Sequence, residues 1–160
     1  MVRVEVASRE WMEALVEGDD AFAERFGIPV EPGWAEFPEV LPWALEHAPD
    51  PWGTHLFFDD DVDGALVGNG GWKGPPVDGV AELGYAVAPG RRNRGIASAV
   101  VRTLLDRARR DDRVTLVVAH TLAEPSASTR VLERCGFVNV GTVDDPDDGP
   151  VWRWEHPLEA

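Results

Sequence analysis

Arginine residues concentrate at one turn of this acidic chain. Arg91, Arg92 and Arg94 precede Gly95, and residues 91–113 contain eight arginines against three aspartates. That segment carries a net charge of +5, although the whole chain has a formal charge of −14. A basic turn in an otherwise acidic protein indicates that the turn binds an anionic ligand.

The residues around this turn predict a strand before it and a helix after it. Residues 80–88 form a short apolar run that Pro89 and Gly90 close, which is typical of a buried strand. From Ile96 to Arg110 the apolar residues recur at intervals of three and four, as on one face of an α-helix. The first amides of a helix are unpaired and lie at the positive end of its dipole, so this arrangement favours an anion near Gly95.

Two common phosphate-binding loops do not fit the turn. A nucleotide-hydrolysing loop requires Gly-Lys followed by Ser or Thr, and the only lysine of the chain, Lys73, lies elsewhere. A dinucleotide fingerprint requires a glycine spacing that Gly90 and Gly95 do not provide. The turn does resemble motif A of the GCN5-related N-acetyltransferases, whose R-x-x-G-x-A signature is present at residues 92–97 as R-N-R-G-I-A.

Two later segments resemble the same family and follow in the same order. Residues 119–137 resemble motif B, in which a strand end precedes a helix that closes with Gly136 and Phe137. A glycine suits the left-handed position after a helix, and the following phenylalanine can pack back onto the last turn. Residues 149–155 are similar to the final hairpin strand of the ribosomal-protein N-terminal acetyltransferase-like branch. The resemblance covers residues 64–155 well and the earlier residues only loosely.

The resemblance implies that the chain uses acetyl-CoA as a co-substrate, with the amides of the turn on its pyrophosphate. The residues implied to bind it lie at the end of the strand, in the turn and in the first helical turn: Ala86, Val87, Arg92, Asn93, Arg94, Gly95, Ile96, Ala97 and Ser98.

The resemblance also implies two catalytic residues, Glu82 and Ser128. Glu82 matches the position where many members carry a general base that acts through water, and desolvation in the apolar strand is expected to raise its pKa. The proton for the departing thiolate comes from Ser128 or from water. Many relatives use a tyrosine on the motif B helix, whereas the single tyrosine here, Tyr85, lies on the central strand. Pro125 replaces an asparagine of the family pattern, which puts one cofactor contact in doubt.

Hydrophobic periodicity and the resemblance predict an α/β fold with one domain over residues 1–160. We expect a mixed, mostly antiparallel sheet of six to seven strands flanked by helices, with residues 114–118 parallel to the central strand. The acceptor-side helices are predicted at about 8–50, the acetyl-CoA-binding core at about 54–137, and a closing hairpin at about 137–157.

The region before residue 50 is rich in aromatic residues, and the resemblance places the acceptor site there. Most of these side chains are expected to pack beneath the sheet. Trp34 lies on a loop broken by proline and glycine, so we expect it to be exposed and to contact the acceptor substrate. Cys135, just before Gly136, is expected to be a small buried core residue rather than a nucleophile.

Composition excludes several other classes of protein. The 29 acidic residues against 15 basic ones argue against general nucleic-acid binding, and the four histidines lack the spacing of metal ligands. One cysteine excludes an internal disulfide and favours a reducing compartment. With no secretory signal and no apolar run of membrane-spanning length, the chain is predicted to be cytoplasmic, without a membrane partner.

The function predicted from these observations is N-acetyl transfer from acetyl-CoA to a primary amine. The acceptor is either a peptide N-terminus or a small-molecule amine, and the acidic composition favours a cationic one. The alternative is a non-catalytic acyl-CoA-binding or regulatory module with the same fold. The chain is expected to be a monomer or a homodimer.

Overall fold

The computed structural model describes residues 1–158, which form one α/β domain. Its strands are β1 (Val2–Val6), β2 (Thr54–Asp59), β3 (Ala65–Trp72), β4 (Val80–Val87), β5 (Leu116–Leu122), β6 (Val138–Asp145) and β7 (Gly149–Pro157). Its α-helices are α1 (Arg9–Glu17), α2 (Asp19–Phe26), α3 (Leu41–Glu46), α4 (Ile96–Arg109) and α5 (Ala127–Arg134).

Within residues 1–158, the seven strands form one sheet in the order β1-β2-β3-β4-β5-β7-β6. Every neighbouring pair is antiparallel except β4 and β5, which are parallel. The α/β class, the mixed and mostly antiparallel sheet, and the parallel pair predicted from the sequence are confirmed.

The parallel pair separates after three residues. Val80–Glu82 pair with Leu116–Val118, and beyond that point β4 pairs only with β3 while β5 pairs only with β7. Strand residues present their backbone groups alternately to the two sides, and the carbonyl of Glu82 accepts a hydrogen bond from the amide of Lys73 on the β3 side. The backbone groups of Leu83, Tyr85 and Val87 therefore face the opening between β4 and β5.

The helices cover the sheet on both faces and bury two hydrophobic cores. Helices α4 and α5 cover one face, where Val100, Val101 and Leu104 of α4 pack against Leu83 and other strand residues. This confirms the helical stripe predicted from Ile96 onward. Helices α1, α2 and α3 cover the other face over β2 and β3, and we call the two faces the α4 face and the α1–α3 face.

Trp34 belongs to the core of the α1–α3 face, so the prediction that it is exposed is wrong. Only 2% of the residue is exposed, and its indole Nε1 donates a hydrogen bond to Asp19 Oδ1 at 2.9 Å. The ring belongs to the same buried cluster as Phe22, Leu41 and Phe58. A broken loop therefore does not by itself indicate an exposed side chain, because a large apolar ring gains more from burial.

Local contacts set the bounds of several elements. Strand β5, predicted over residues 114–118, begins at Leu116 because the amide of Val114 is turned back to the carbonyl of Asp111, and it extends to Leu122. Helix α5 begins at Ala127, because Ser126 and Thr129 form a reciprocal capping box. Among the acceptor-side helices, α3 follows a 3₁₀ turn over Pro38–Val40.

Candidate active site

The turn before α4 has the geometry of an anion-binding site. Asn93 and Gly95 adopt left-handed conformations with φ of 62° and 79°, and no side chain caps the helix at Gly95. A Cβ atom built on Gly95 would meet no other atom within 4 Å, so the space beside it is open. The uncapped amides of Ile96, Ala97 and Ser98 are left for a ligand at the positive end of the helix.

The three arginines of the turn are not equally available. Arg91 is mostly buried and forms an ion pair with the buried Asp59, with 3.1 Å between Nη2 and Oδ2. Arg92 donates from Nε to the carbonyl of Val87 at 3.2 Å, and Arg94 is exposed. The net charge of +5 over residues 91–113 therefore overstated the positive charge of the turn itself. Arg91 is neutralised by Asp59, and five of the eight arginines lie along or beyond α4.

A hydrogen bond from Tyr85 links β4 to α5, and the sequence did not predict this contact. Its hydroxyl donates to the carbonyl of Ser128 at 3.3 Å, and burial raises the pKa of Tyr85. The exposed Ser128 lies in the first turn of α5, so the two hydroxyl-bearing residues that the sequence placed on separate elements lie close together. Cys135 is buried, as predicted, and burial raises the pKa of its thiol.

Glu82 lies on the opposite face of β4 from Ala81 and Leu83, toward the α1–α3 face. One carboxylate oxygen, Oε2, is 3.0 Å from His120 Nδ1 and 3.1 Å from Lys73 Nζ. Burial works to raise the pKa of Glu82, but the hydrogen bond from His120 and the charge of Lys73 together lower it. The prediction of a raised pKa for Glu82 is therefore wrong. It considered burial in the apolar strand but not contacts with His120 and Lys73, which the sequence did not reveal.

His120 is the neighbour that changes the chemistry of Glu82. An ionised carboxylate only accepts hydrogen bonds, so Nδ1 carries the proton and, in the neutral ring, Nε2 carries the free lone pair. The register that pairs Glu82 with Val118 could have revealed this contact, because residue 120 lies on the same face one pleat further along β5. The predicted strand ended at residue 118, which hid the relation.

An aromatic cleft lined by α3, by residues 50–54 and by the end of β3 shares Lys73 with this cluster. It has a volume of about 170 Å³ and its lining includes Trp43, His47, Asp50, Trp52 and Lys73. The rings of Trp43 and His47 stack with centroids 4.2 Å apart, and Trp43 is 58% exposed. The exposed tryptophan of this region is thus Trp43 rather than Trp34, and the shared Lys73 links the cleft to Glu82.

The fold and the site together define a class of acyl-transfer domain, with a cofactor-shaped opening between two splayed strands. A protein-family model described as an acetyltransferase (GNAT) domain matches residues 6–138. The chain therefore belongs to the GNAT acetyltransferase family, as its motifs predicted. A comparison with curated proteins gives no match.

Solved structures of GNAT enzymes share the fold at low sequence identity. A ribosomal L7/L12 alpha-N-protein acetyltransferase in complex with coenzyme A is 15% identical with a TM-score of 0.72, covering 98% of this chain and 94% of that chain. The ribosomal-protein-S5-alanine acetyltransferase from Vibrio fischeri is 13% identical with a TM-score of 0.71, covering 99% and 93%. A dodecameric spermidine N-acetyltransferase from Vibrio cholerae is 17% identical with a TM-score of 0.68, covering 98% and 93%. Acetyl-CoA as the co-substrate agrees with the coenzyme A named in the first of these.

Residues 1–158 lack two further kinds of feature. No helix in this range is both long and apolar enough to cross a membrane. The same residues contain no group of three or more histidine, cysteine, aspartate and glutamate side chains that could hold a metal ion.

Proposed function

We propose that the chain transfers the acetyl group of acetyl-CoA to a primary amine, and that the Glu82–His120 pair accepts the proton of that amine. The observation that carries the proposal is the position of this pair. It lies where β4 and β5 begin to separate, between the uncapped turn on one side and the aromatic cleft on the other.

The cofactor would occupy the opening between β4 and β5. The uncapped amides of α4 and the exposed Arg94 suit the pyrophosphate, and Arg92 helps to fix the end of β4 through Val87. The amides of β4 that face the opening can donate to the extended arm of the cofactor and to the thioester oxygen. Donors that are already in place stabilise the oxyanion of the tetrahedral intermediate without having to reorganise.

Proton transfer follows from the geometry of the pair. Glu82 fixes the ring of His120 so that Nε2 can accept a proton, directly or through one water molecule. The lowered pKa of Glu82 keeps the carboxylate ionised at neutral pH, which suits an orienting partner of a histidine better than a lone base. Ser128 and the hydroxyl of Tyr85, which donates to the Ser128 carbonyl, are the candidate groups to give the departing thiolate a proton or a hydrogen bond.

The acceptor would enter through the aromatic cleft. Aromatic rings and Asp50 in the cleft suit a cationic group, because a cation is attracted to the face of a ring and to a carboxylate. A volume of about 170 Å³ suits the end of an acceptor chain rather than a drug-sized molecule. Peptide N-termini and small diamines both meet this description.

Release of free thiol from acetyl-CoA tests the proposal against the non-catalytic alternative. The panel of acceptors comprises N-terminal peptides, free amino acids and polyamines, each with a neutral alcohol analogue as its control. Release that depends on the amine supports the transferase. Stabilisation by acetyl-CoA with no release for any amine would favour the non-catalytic module.

A further inference from the structure

Lys73 occupies the position that the acceptor amine needs in the proposed reaction, and this inference rests on that proposed function. The residue follows β3 directly, and its backbone amide is fixed to the carbonyl of Glu82 at 2.9 Å. Its Nζ atom is 3.1 Å from Glu82 Oε2, and 62% of its side chain is exposed. An amine held by the catalytic carboxylate is therefore already present in the free chain.

The path of the side chain places this amine beside the opening between the strands. A Cβ atom built on Gly84 would lie 3.5 Å from Lys73 Cε, so the lysine side chain lies over this glycine of β4. Gly84 follows Leu83, the first β4 residue beyond the β5 pairing. Because an incoming amine must reach the thioester from beside Glu82, Lys73 reaches the same place.

We propose that Lys73 is acetylated by the chain's own active site when no acceptor amine is bound. The ammonium loses a proton to the Glu82–His120 pair, and the neutral Nζ attacks the thioester carbon of acetyl-CoA. A bond forms between Nζ and the acetyl carbon, and the carbon–sulfur bond breaks. Coenzyme A leaves as a thiolate and takes up a proton, so the products are an uncharged amide on Lys73 and free coenzyme A.

This modification would change the acceptor site. The acetylated side chain carries no charge, so it can no longer form an ion pair with Glu82. The carboxylate then loses a competitor for the acceptor ammonium. An external amine and Lys73 compete for one position, and a bound acceptor is expected to protect Lys73 from acetylation.

The test is a time course of the full chain with acetyl-CoA and no added amine, read by peptide mass spectrometry. Because the chain has one lysine, the peptide that carries it is read separately from the amino-terminal peptide. We expect one acetyl group on Lys73, formed with a first-order rate constant that is independent of protein concentration. Glu82→Gln should slow this rate by about 10²-fold or more.

The matched control moves the only lysine to another carboxylate. In the wild-type chain, Arg109 Nη1 lies 2.8 Å from Asp106 Oδ1 on α4, outside the candidate site. The double variant Lys73→Arg/Arg109→Lys therefore retains one lysine beside one carboxylate, and we expect its lysine to remain unmodified. Equal acetylation of this lysine, or an unchanged rate in Glu82→Gln, would show chemical acetylation in solution and overturn the proposal.

Two other results would also overturn it, and they are distinguishable from failure of the proposed function. If acetyl-CoA stabilises the chain or supports acetylation of an added amine while Lys73 stays unmodified, only the inference about Lys73 fails. An apparent first-order rate constant that rises in proportion to protein concentration would show transfer between molecules and reject the intramolecular step. If acetyl-CoA neither stabilises the chain nor reacts with any amine, the proposed function fails too.

Discussion

The cofactor side and the acceptor side of the candidate site offer different kinds of groups to their proposed ligands. On the cofactor side, the ligand-facing groups are mainly backbone amides of the turn, of α4 and of the open edge of β4. On the acceptor side they are side chains, namely Glu82, His120, Lys73 and the aromatic residues of the cleft. Any sequence that adopts the right conformation supplies the backbone groups. The side-chain groups, in contrast, require a particular residue type at each position.

This difference determines which kinds of substitution should damage each side of the site. On the cofactor side, the most damaging changes are those that alter backbone conformation, because Gly95 and Asn93 hold left-handed geometry. On the acceptor side, a single changed atom in a side chain is enough to remove a proton acceptor.

The largest expected effect is that of Glu82→Gln on catalysis. The amide keeps the size of the side chain but cannot hold the His120 ring as an ionised carboxylate does, so kcat/KM near neutral pH should fall by roughly 10²- to 10⁴-fold. The fall in kcat/KM should become smaller as pH rises, because an α-amine with an unperturbed pKa of about 8 then arrives already deprotonated. Steady-state kinetics across pH measures both effects.

His120→Gln is the matched companion of that variant. If Glu82 and His120 act as a unit, each single substitution and the double substitution should lower kcat/KM by a similar factor. The losses from the two single substitutions should therefore not be additive in free energy. A wild-type rate and pH profile in Glu82→Gln would mean that the carboxylate is structural. The backbone-based cofactor side would then be the only part of the site that the chain's chemistry requires.

The second effect is that of Trp34→Ala on stability. Removing a fully buried tryptophan from the core of the α1–α3 face should lower the free energy of unfolding by about 3–5 kcal/mol. Trp34→Phe keeps most of the packing and loses the hydrogen bond to Asp19, so it should cost roughly 1 kcal/mol beyond the smaller packing loss. Denaturant unfolding measures both. A rise in the acceptor KM with unchanged stability would instead restore Trp34 as a substrate contact.

The strand, turn and helix of the proposed cofactor side could be predicted from the sequence because their signals are local. The apolar strand, the glycine-containing turn and the stripe of α4 occupy one continuous stretch, so spacing alone defines them. The acceptor side depends on contacts between residues far apart in the chain. Lys73, Glu82 and His120 come from three strands or their ends, and no local pattern relates them.

Trp34 and Trp43 show the same limit in a different way. Both lie in a region of loops and short helices, and local composition favoured the wrong one as exposed. Which ring is buried depends on how α1, α2 and α3 pack on β2 and β3, where Asp19 provides a partner for the indole of Trp34. Trp43 stays outside this core because it lies on the opposite side of α3 from the buried Leu41 and Ala44.

The third effect concerns Gly95→Val and cofactor binding. Saturation with acetyl-CoA at about 100 times its dissociation constant should stabilise the wild-type chain by about 2.7 kcal/mol, seen as a rise in Tm. A β-branched residue at φ of 79° is strained, so the variant should lose the turn geometry and with it this stabilisation.

Gly27→Val is the matched control for strain. Gly27 ends α2 at φ of 65° and, like Gly95, has no atom within 4 Å of a built Cβ, but it lies away from the turn. Both variants should lose a similar amount of stability, of order 1–3 kcal/mol, while only Gly27→Val retains the shift with acetyl-CoA. An unchanged shift in Gly95→Val would remove the turn from the cofactor site.

The smallest effect is that of Trp43→Ala on acceptor binding. If the exposed ring holds a cationic group of the acceptor, its removal should cost about 0.5–2 kcal/mol, which corresponds to a two- to thirtyfold rise in the acceptor KM. The KM for acetyl-CoA and the stability should hardly change, because the side chain is mostly exposed.

Phe37→Ala is the control, since Phe37 is equally exposed but is not among the residues that line the cleft. A cationic acceptor should be affected more than a neutral amine of similar size, and equal effects on both would mean that the ring contributes packing rather than cation recognition.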